Sequence, residues 1–319
     1  MEDHKRVSAS ELLDIRALNT VYGDTPILQE VSVTVKQGQI IGIVGESGSG
    51  KSTVIYSTLG LLGKGGRVTA GEIFYDGLNL RELSKAELRR LRGEELSLIA
   101  QYPLDSFHPI RKIDQELKLF VKAHKTVSYK EAEAEMLRLM EKFGLKDGKE
   151  ILGKYAFELS GGMCQRTAIA LAMVRCPKIL FADEPTSALD VTVQKQVVDE
   201  MLRIREESGT SVVIVSHNIG VISYMADEIY VMYAGHVLEH GKTVEVIQNA
   251  VHPYTQHLVR VIPRMNQPPI RNVNMTKKAR TDIGCPYREN CPEKTKRCEE
   301  EIPPIRKISE EHYVRCWKL

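Results

Sequence analysis

The chain has 319 residues, 42% hydrophobic and 27% charged, which suits one large or two modest globular domains with a substantial core. A formal net charge of +2 gives no electrostatic case for nucleic acid or an anionic membrane as partner. No run approaches the 18 or so apolar residues of a membrane-spanning helix, and the opening MEDHKRVSASELLDI lacks the apolar stretch of a secretory signal. The chain is therefore expected to be soluble and cytoplasmic, with its six cysteines as core residues or metal ligands rather than disulfides.

ILQEVSVTVKQGQIIGIVG alternates and then runs apolar, which predicts two strands, the second (Gln39 to Val44) buried on both faces. A Gly-rich turn follows, and STVIYSTLGLL predicts a helix. IFYDGLNL predicts a hairpin turning at Asp76-Gly77. Ser84 to Glu87 forms a capping box, with Leu83 and Leu88 placed as a hydrophobic staple, so a short helix starts there. LSLIAQ reads as a strand. From about residue 103 to 165 the character is helical. A second capping box, Ser128 to Glu131, opens a stripe of Ala132, Met136, Met140 and Phe143 that Gly144 terminates. KILFAD and SVVIVS are buried strands with QKQVVDEMLRIREE as the helix between them, an alternation that implies a parallel sheet in an α/β fold. Beyond about residue 250, segments such as IPRMNQPPIRNVN read as an appended tail rather than a second core.

Three motifs carry chemistry. GESGSGKS (Gly45 to Ser52) fits the P-loop pattern between a strand and a helix. Gly45, Ser47, Gly48 and Gly50 turn backbone N–H groups toward phosphate, and the helix N-terminus adds positive potential. Lys51 reaches the β- and γ-phosphates, Ser52 ligates Mg²⁺, and Thr53 follows at the nucleotide. ILFADEP ends a strand in two carboxylates: Asp183 for Mg²⁺ and Glu184 to polarise an attacking water. LSGGMCQR (Leu159 to Arg166) resembles the signature of ATP-binding-cassette (ABC) ATPases. Ser160, Gly161 and Gly162 at a helix start form a second anion site.

That resemblance implies further roles. Tyr22 in NTVYGD matches the adenine-stacking aromatic. Gln101 matches the Q-loop glutamine that senses Mg²⁺ and the attacking water. SALD, ending at Asp190, matches the D-loop, and His217 matches the switch histidine. Cys164 stands where the family often has Arg or Lys, and it reads as a small apolar residue, while Cys176, before Pro177, reads as buried core near the ILFADEP strand. The implied fold is an ABC cassette over residues 1–250: a P-loop core with a parallel sheet, antiparallel strands and a helical subdomain over about 103–165. A Cys-rich extension over 251–319 follows.

Three segments are similar to the branch that imports peptides and nickel: ADEPTSALDVTVQKQVVDEM, HPYTQHLVRVIP, and the tail cysteines Cys285, Cys291, Cys298 and Cys316 in C-x5-C-x6-C-x17-C spacing. QYPLDSFHP departs from that branch, with Tyr102 where an acidic residue is usual. The resemblance implies an ATPase at the cytoplasmic face of the membrane that powers a di- or oligopeptide importer. Its partners would be a second cassette in a heterodimer, two permeases and, indirectly, an extracellular binding protein. The alternatives are import of nickel or a metal chelate, or a non-transport ABC ATPase. The cysteine spacing is wide for zinc. Relatives hold a [4Fe–4S] cluster at matching positions, so iron–sulfur is favoured over zinc or free thiols.

Overall fold

Alternating and continuous apolar patterns both fold as strands in the computed structural model, which describes residues 11–124, 127–187, 189–262 and 283–319. The opening decapeptide, Ala188 of the SALD motif and the IPRMNQPPIRNVN segment from Pro263 on lie outside the described residues. The chain divides into two compact units: one holds the residues up to Lys36, Ile40–Glu82 and everything from Val215 on, and the other holds Gln37–Gln39 and Leu83–Ile214.

The first unit begins with β1 (Glu11–Tyr22), β2 (Thr25–Lys36), β3 (Ile40–Val44), α1 (Lys51–Thr58), β4 (Gly66–Tyr75) and β5 (Leu78–Asn79). In β2, Val31, Val33 and Val35 are buried while Ser32 and Lys36 face solvent, the period-two signature of a half-buried strand. All of β3 is buried. The helix after the P-loop is shorter than the sequence predicts. Gly60 takes a left-handed φ of 61° and Leu61 N–H returns to the Tyr56 carbonyl at 2.8 Å, which closes α1 before the apolar run ends. The Asp76-Gly77 turn has φ of 48° and 77°, the two positive values that a tight hairpin between β4 and β5 needs.

The second unit contains α2 (Lys85–Glu94), β6 (Leu96–Ile99), α3 (Ile113–His124), α4 (Tyr129–Lys142), α5 (Gly148–Leu152), α6 (Gly161–Met173), β7 (Ile179–Asp183), α7 (Val191–Ser208) and β8 (Ser211–Ser216), within which the chain returns to the first unit. Both capping boxes form as predicted, each serine hydroxyl taking the N3 N–H and each glutamate returning to the serine N–H. The predicted stripe of α4 is the buried one, with Ala132, Met136, Met140 and Phe143 each at most 4% exposed. β6 and β7 pair in parallel, in the order β8-β7-β6.

The remainder of the first unit is α8 (Ile219–Met225), β9 (Glu228–Tyr233), β10 (His236–Lys242), α9 (Thr243–Gln248), α10 (Pro253–Arg260), α11 (Arg297–Glu300), β11 (Ile305–Ser309) and β12 (His312–Arg315). Its sheets run β2-β1-β4-β5 and β11-β12-β10-β9-β3, with β3 and β9 parallel. α8 seats directly on β3. A methyl group at Gly42 would sit 2.2 Å from the Ile222 side chain.

The boundary at residue 250 falls inside the first unit. The tail supplies β11 and β12 to the edge of β10, with Glu239 opposite Val314 and Gly241 opposite His312. Backbone crowds backbone there, since a Cβ on Gly241 would lie 2.2 Å from the Glu311 carbonyl oxygen. The junction is polar and aromatic. Glu239, 0% exposed, accepts the Val251 N–H (2.8 Å) and the His252 N–H (2.9 Å), and its carboxylate lies 2.7 Å from His312 Nε2. The His240 ring stacks between Tyr230 and Tyr313 at 4.8 and 4.7 Å.

Candidate nucleotide site and the four cysteines

The P-loop is built by what surrounds it. Gly48 and Gly50 have φ of 75° and 102°, conformations that favour glycine. Gly50 is also hemmed in, since a Cβ there would meet Leu28 Cδ2 at 2.7 Å. The β9–β10 turn backs the loop: Gly235 N–H donates to the Ser49 carbonyl at 2.9 Å, and Gln29 N–H donates to the Gly235 carbonyl at 3.0 Å. Lys51, buried, donates from Nζ to the Gly45 carbonyl (2.7 Å) and the Glu46 carbonyl (3.0 Å). A cavity of about 210 Å³ is lined by Tyr22, Ile27, Gly48, Gly50, Lys51, Ser52 and Thr53. The structure thus brings the predicted adenine-stacking tyrosine and the phosphate-binding residues to one cavity. Gly45 and Ser47 are not in its wall. Ser47 is exposed on the loop, and Gly45 faces the Met232 carbonyl, 2.1 Å from where its Cβ would be. His217, also of the first unit, is exposed just past β8.

The second unit holds the other predicted residues, each in its own surroundings. Asp183 ends β7 almost fully buried. Glu184 is 7% exposed and has φ of 50°, a left-handed conformation costly for a side-chain-bearing residue. A tight turn holds it there, with the Ser187 N–H and hydroxyl both donating to the Glu184 carbonyl at 3.1 Å. Such strain at the residue predicted to act on water is a signal the sequence did not carry. Gln101 lies two residues past the end of β6, half-buried, rather than in the strand.

Ser160 is the N-cap of α6, its hydroxyl accepting the Met163 N–H at 3.3 Å. Neither signature glycine is required by its own backbone or neighbours. A Cβ at Gly161 would meet nothing within 4 Å, and at Gly162 it would make ordinary contact with Leu189. The absence of side chains therefore leaves the exposed N-terminal end of this 13-residue helix open to a ligand. Asp190 acts within the chain as the N-cap of α7, its carboxylate accepting the Thr192 and Val193 N–H groups at 3.1 and 3.0 Å. Cys164 is buried, as predicted, and burial pushes its thiol up to about 11. Cys176 corrects the prediction. It is exposed, with φ of 46°, in the turn between α6 and β7, where its N–H donates to the Met173 carbonyl at 2.9 Å.

The tail cysteines lie in one neighbourhood. Burial pushes the Cys285 thiol up to about 12, and Cys298, Cys316 and Cys291 add to that rise. Burial also raises Cys291 and Cys316. Cys285 N–H donates to the Cys298 carbonyl at 2.7 Å. Yet among the described residues no group of three His, Cys, Asp or Glu side chains is arranged to hold a metal ion, so the thiols as placed do not form the expected iron–sulfur or zinc site.

Sequence reasoning overlooked Tyr254. Its hydroxyl accepts the Glu46 N–H of the P-loop at 3.0 Å. The only hint was its position in HPYTQHLVRVIP, a segment that stood out for resemblance alone.

Comparison with known proteins agrees with these features. The ABC transporter family model matches residues 28–187, and the model of the oligopeptide/dipeptide transporter C-terminal region matches residues 238–298. The chain is 34% identical to the oligopeptide transport ATP-binding protein OppD of Salmonella typhimurium, over 97% of this chain and 94% of that one. It is 34% identical to OppD of Haemophilus influenzae, over 96% and 97%. Among solved structures, a dimeric ATP-binding cassette in a post-hydrolysis state bound to ADP and Pi superposes with a TM-score of 0.64 at 26% identity, covering 72% of this chain and 98% of that one. CbiO1 of Clostridium perfringens, part of an ABC transporter complex, gives 0.63 at 25%, covering 75% and 92%.

Proposed function

We propose, from the premise that this chain belongs to the ABC transporter family and carries the C-terminal region of oligopeptide and dipeptide transporters, that it is the ATP-hydrolysing subunit that powers a peptide importer. The observation that carries the nucleotide chemistry is the cavity shared by Tyr22, Lys51, Ser52 and Thr53. It offers an aromatic face, a cation and backbone N–H groups to a nucleoside triphosphate. Mg²⁺, held by the Ser52 hydroxyl with Asp183 and Gln101, would neutralise charge on the phosphates. Glu184 takes the proton of the attacking water, and His217 contacts the γ-phosphate.

Two cassettes facing head to tail complete the site. The signature of one, Ser160-Gly161-Gly162, grips the triphosphate on the P-loop of the other, and the D-loop with Asp190 crosses between them. The open helix start at Gly161 supports this reading, as does the likeness to a dimeric cassette. The second cassette is a different chain, so the pair is a heterodimer. Two permeases dock on the segment after Gln101, where Tyr102, Leu104 and Ile110 are 63%, 55% and 77% exposed, an apolar surface suited to a partner. Among the described residues no helix is long and apolar enough to cross a membrane, so transport rests with those permeases, at whose cytoplasmic face this chain sits. Residues 1–250 form the nucleotide-binding domain, with its helical subdomain at about 103–165, and 251–319 form a Cys-rich extension characteristic of this branch.

The finer reading of that extension is a [4Fe–4S] cluster on Cys285, Cys291, Cys298 and Cys316. The shared neighbourhood of the thiols supports it, although their present arrangement is not that of a ligand set, and no step of ATP hydrolysis passes through it.

The deciding experiment is Glu184→Gln in the reconstituted transporter with the partner cassette's own hydrolytic site disabled. ATP binding stays within about twofold while turnover falls by roughly 10²-fold or more, the range for losing a general base. Near-normal turnover would refute the assignment of Glu184.

A further inference from the structure

The P-loop is gripped from behind by a segment that follows the cassette. Tyr254 opens the first turn of α10, one residue past Pro253, and is 0% exposed. Its ring packs edge-on against Tyr233 at 4.8 Å and tilts against Tyr287 at 5.3 Å. Those contacts fix the ring, and the hydroxyl accepts the Glu46 N–H at 3.0 Å. Glu46 is the second residue of the loop, and its N–H shares a peptide unit with the Gly45 carbonyl, which accepts from Lys51 Nζ at 2.7 Å. One peptide unit therefore connects a tyrosine outside the cassette to the lysine that meets the phosphates.

The start of α10 is itself held. His252 Nδ1 accepts the Tyr254 N–H at 3.0 Å, and Glu239 accepts the His252 N–H at 2.9 Å. Tyr254 thus has both its backbone and its ring constrained. An acceptor placed with such little freedom fixes the tilt of the peptide it binds, and hence where that peptide's carbonyl points.

We propose that Tyr254 is a positioning residue of the nucleotide site: by accepting the Glu46 N–H it sets the orientation of the Gly45–Glu46 peptide, and through that peptide's carbonyl, the one on Gly45, that of the Lys51 ammonium, so that the segment after the cassette tunes affinity for the nucleotide's β-phosphate. The inference rests on the reading of this loop as the ATP site and deepens it.

The test uses the full chain and MgADP as the probe, with binding measured by calorimetry. Tyr254→Phe keeps the ring and removes the acceptor. MgADP affinity is expected to fall by about 3- to 10-fold, the worth of one such hydrogen bond, while the unfolding temperature stays close to wild type. Tyr233→Phe removes a hydroxyl from the same aromatic cluster, one that accepts from Asn290 instead. It is expected to leave MgADP affinity unchanged. Wild-type affinity in Tyr254→Phe would overturn the proposal, and so would an equal loss in both variants, which would mean that only packing matters. Hydrogen exchange of the Glu46 amide in the wild-type chain gives a readout that needs no variant to fold. Slow exchange supports the contact, and exchange at the rate of an exposed loop amide overturns it. Failure of the wild type to bind MgADP would instead remove the ATP-site reading, and the exchange rate would still judge the contact.

Discussion

Replacing Glu239 by glutamine tests whether the tail is bonded into the first unit as the structure shows. Both carboxylate oxygens of Glu239 act as acceptors, one for the Val251 N–H and His312 Nε2, the other for the His252 N–H. Glutamine keeps the volume and one acceptor oxygen but turns an NH₂ group toward a backbone N–H. One buried donor loses its partner, and the others lose a charged acceptor. Buried hydrogen bonds contribute about 0.5–3 kcal/mol each, and leaving a buried donor without its partner costs roughly 1–3 kcal/mol more. A chain of this size should then melt roughly 5–10 °C lower. Differential scanning calorimetry of the wild type, Glu239→Gln, His312→Asn and the double variant gives the drop and the coupling between the two side chains, expected to exceed about 1 kcal/mol. A Glu239→Gln melt within about 1 °C of wild type, or strictly additive variants, would show that this carboxylate does not join the tail to β10 and α10.

Acid should weaken the fold in a defined window. Burial holds His252 and His240 at about 4, His240 further depressed by His312, while Glu239 opposes the drop at both. Burial and Arg315 hold His236 at about 4. These values lie below the ordinary 6.5, so the unfolded chain binds more protons between the two. Their contribution to stability is complete above about pH 6.5 and is lost progressively as pH falls toward 4. Asparagine at position 252 can cap α10 without titrating, so His252→Asn should flatten part of that slope in urea titrations at stepped pH. An unchanged slope would show that His252 does not contribute. The four tail thiols make a separate prediction. With Cys285 raised to about 12 by burial, ligation must displace bound protons, so metal affinity should rise with pH. On the proposed cluster reading, anaerobically purified protein would contain iron and labile sulfide, and Cys298→Ser would lose them. Colourless, iron-free wild type would sink the cluster.

The sequence by itself determined the elements and the chemistry wherever the information is local. Capping boxes at Ser84 and Ser128 specify helix starts because donor and acceptor lie three residues apart. The P-loop is legible because its phosphate-binding groups are the backbone of a contiguous stretch, and the α4 stripe because helical periodicity places it on one face. What only the tertiary structure decided depends on groups far apart in sequence. The left-handed φ of Glu184 is imposed by a turn and leaves no mark in residue type. Cys176 looks apolar in sequence yet is exposed in the turn between α6 and β7. The tail reads as an appendage because it is poor in apolar residues, and the structure attaches it through a ladder to β10 and a buried carboxylate instead of a hydrophobic core. Tyr254 and Glu46, 208 residues apart, meet only when α10 folds against the back of the P-loop. No local pattern encodes that contact, because hydrogen-bond partners across such a separation are chosen by packing.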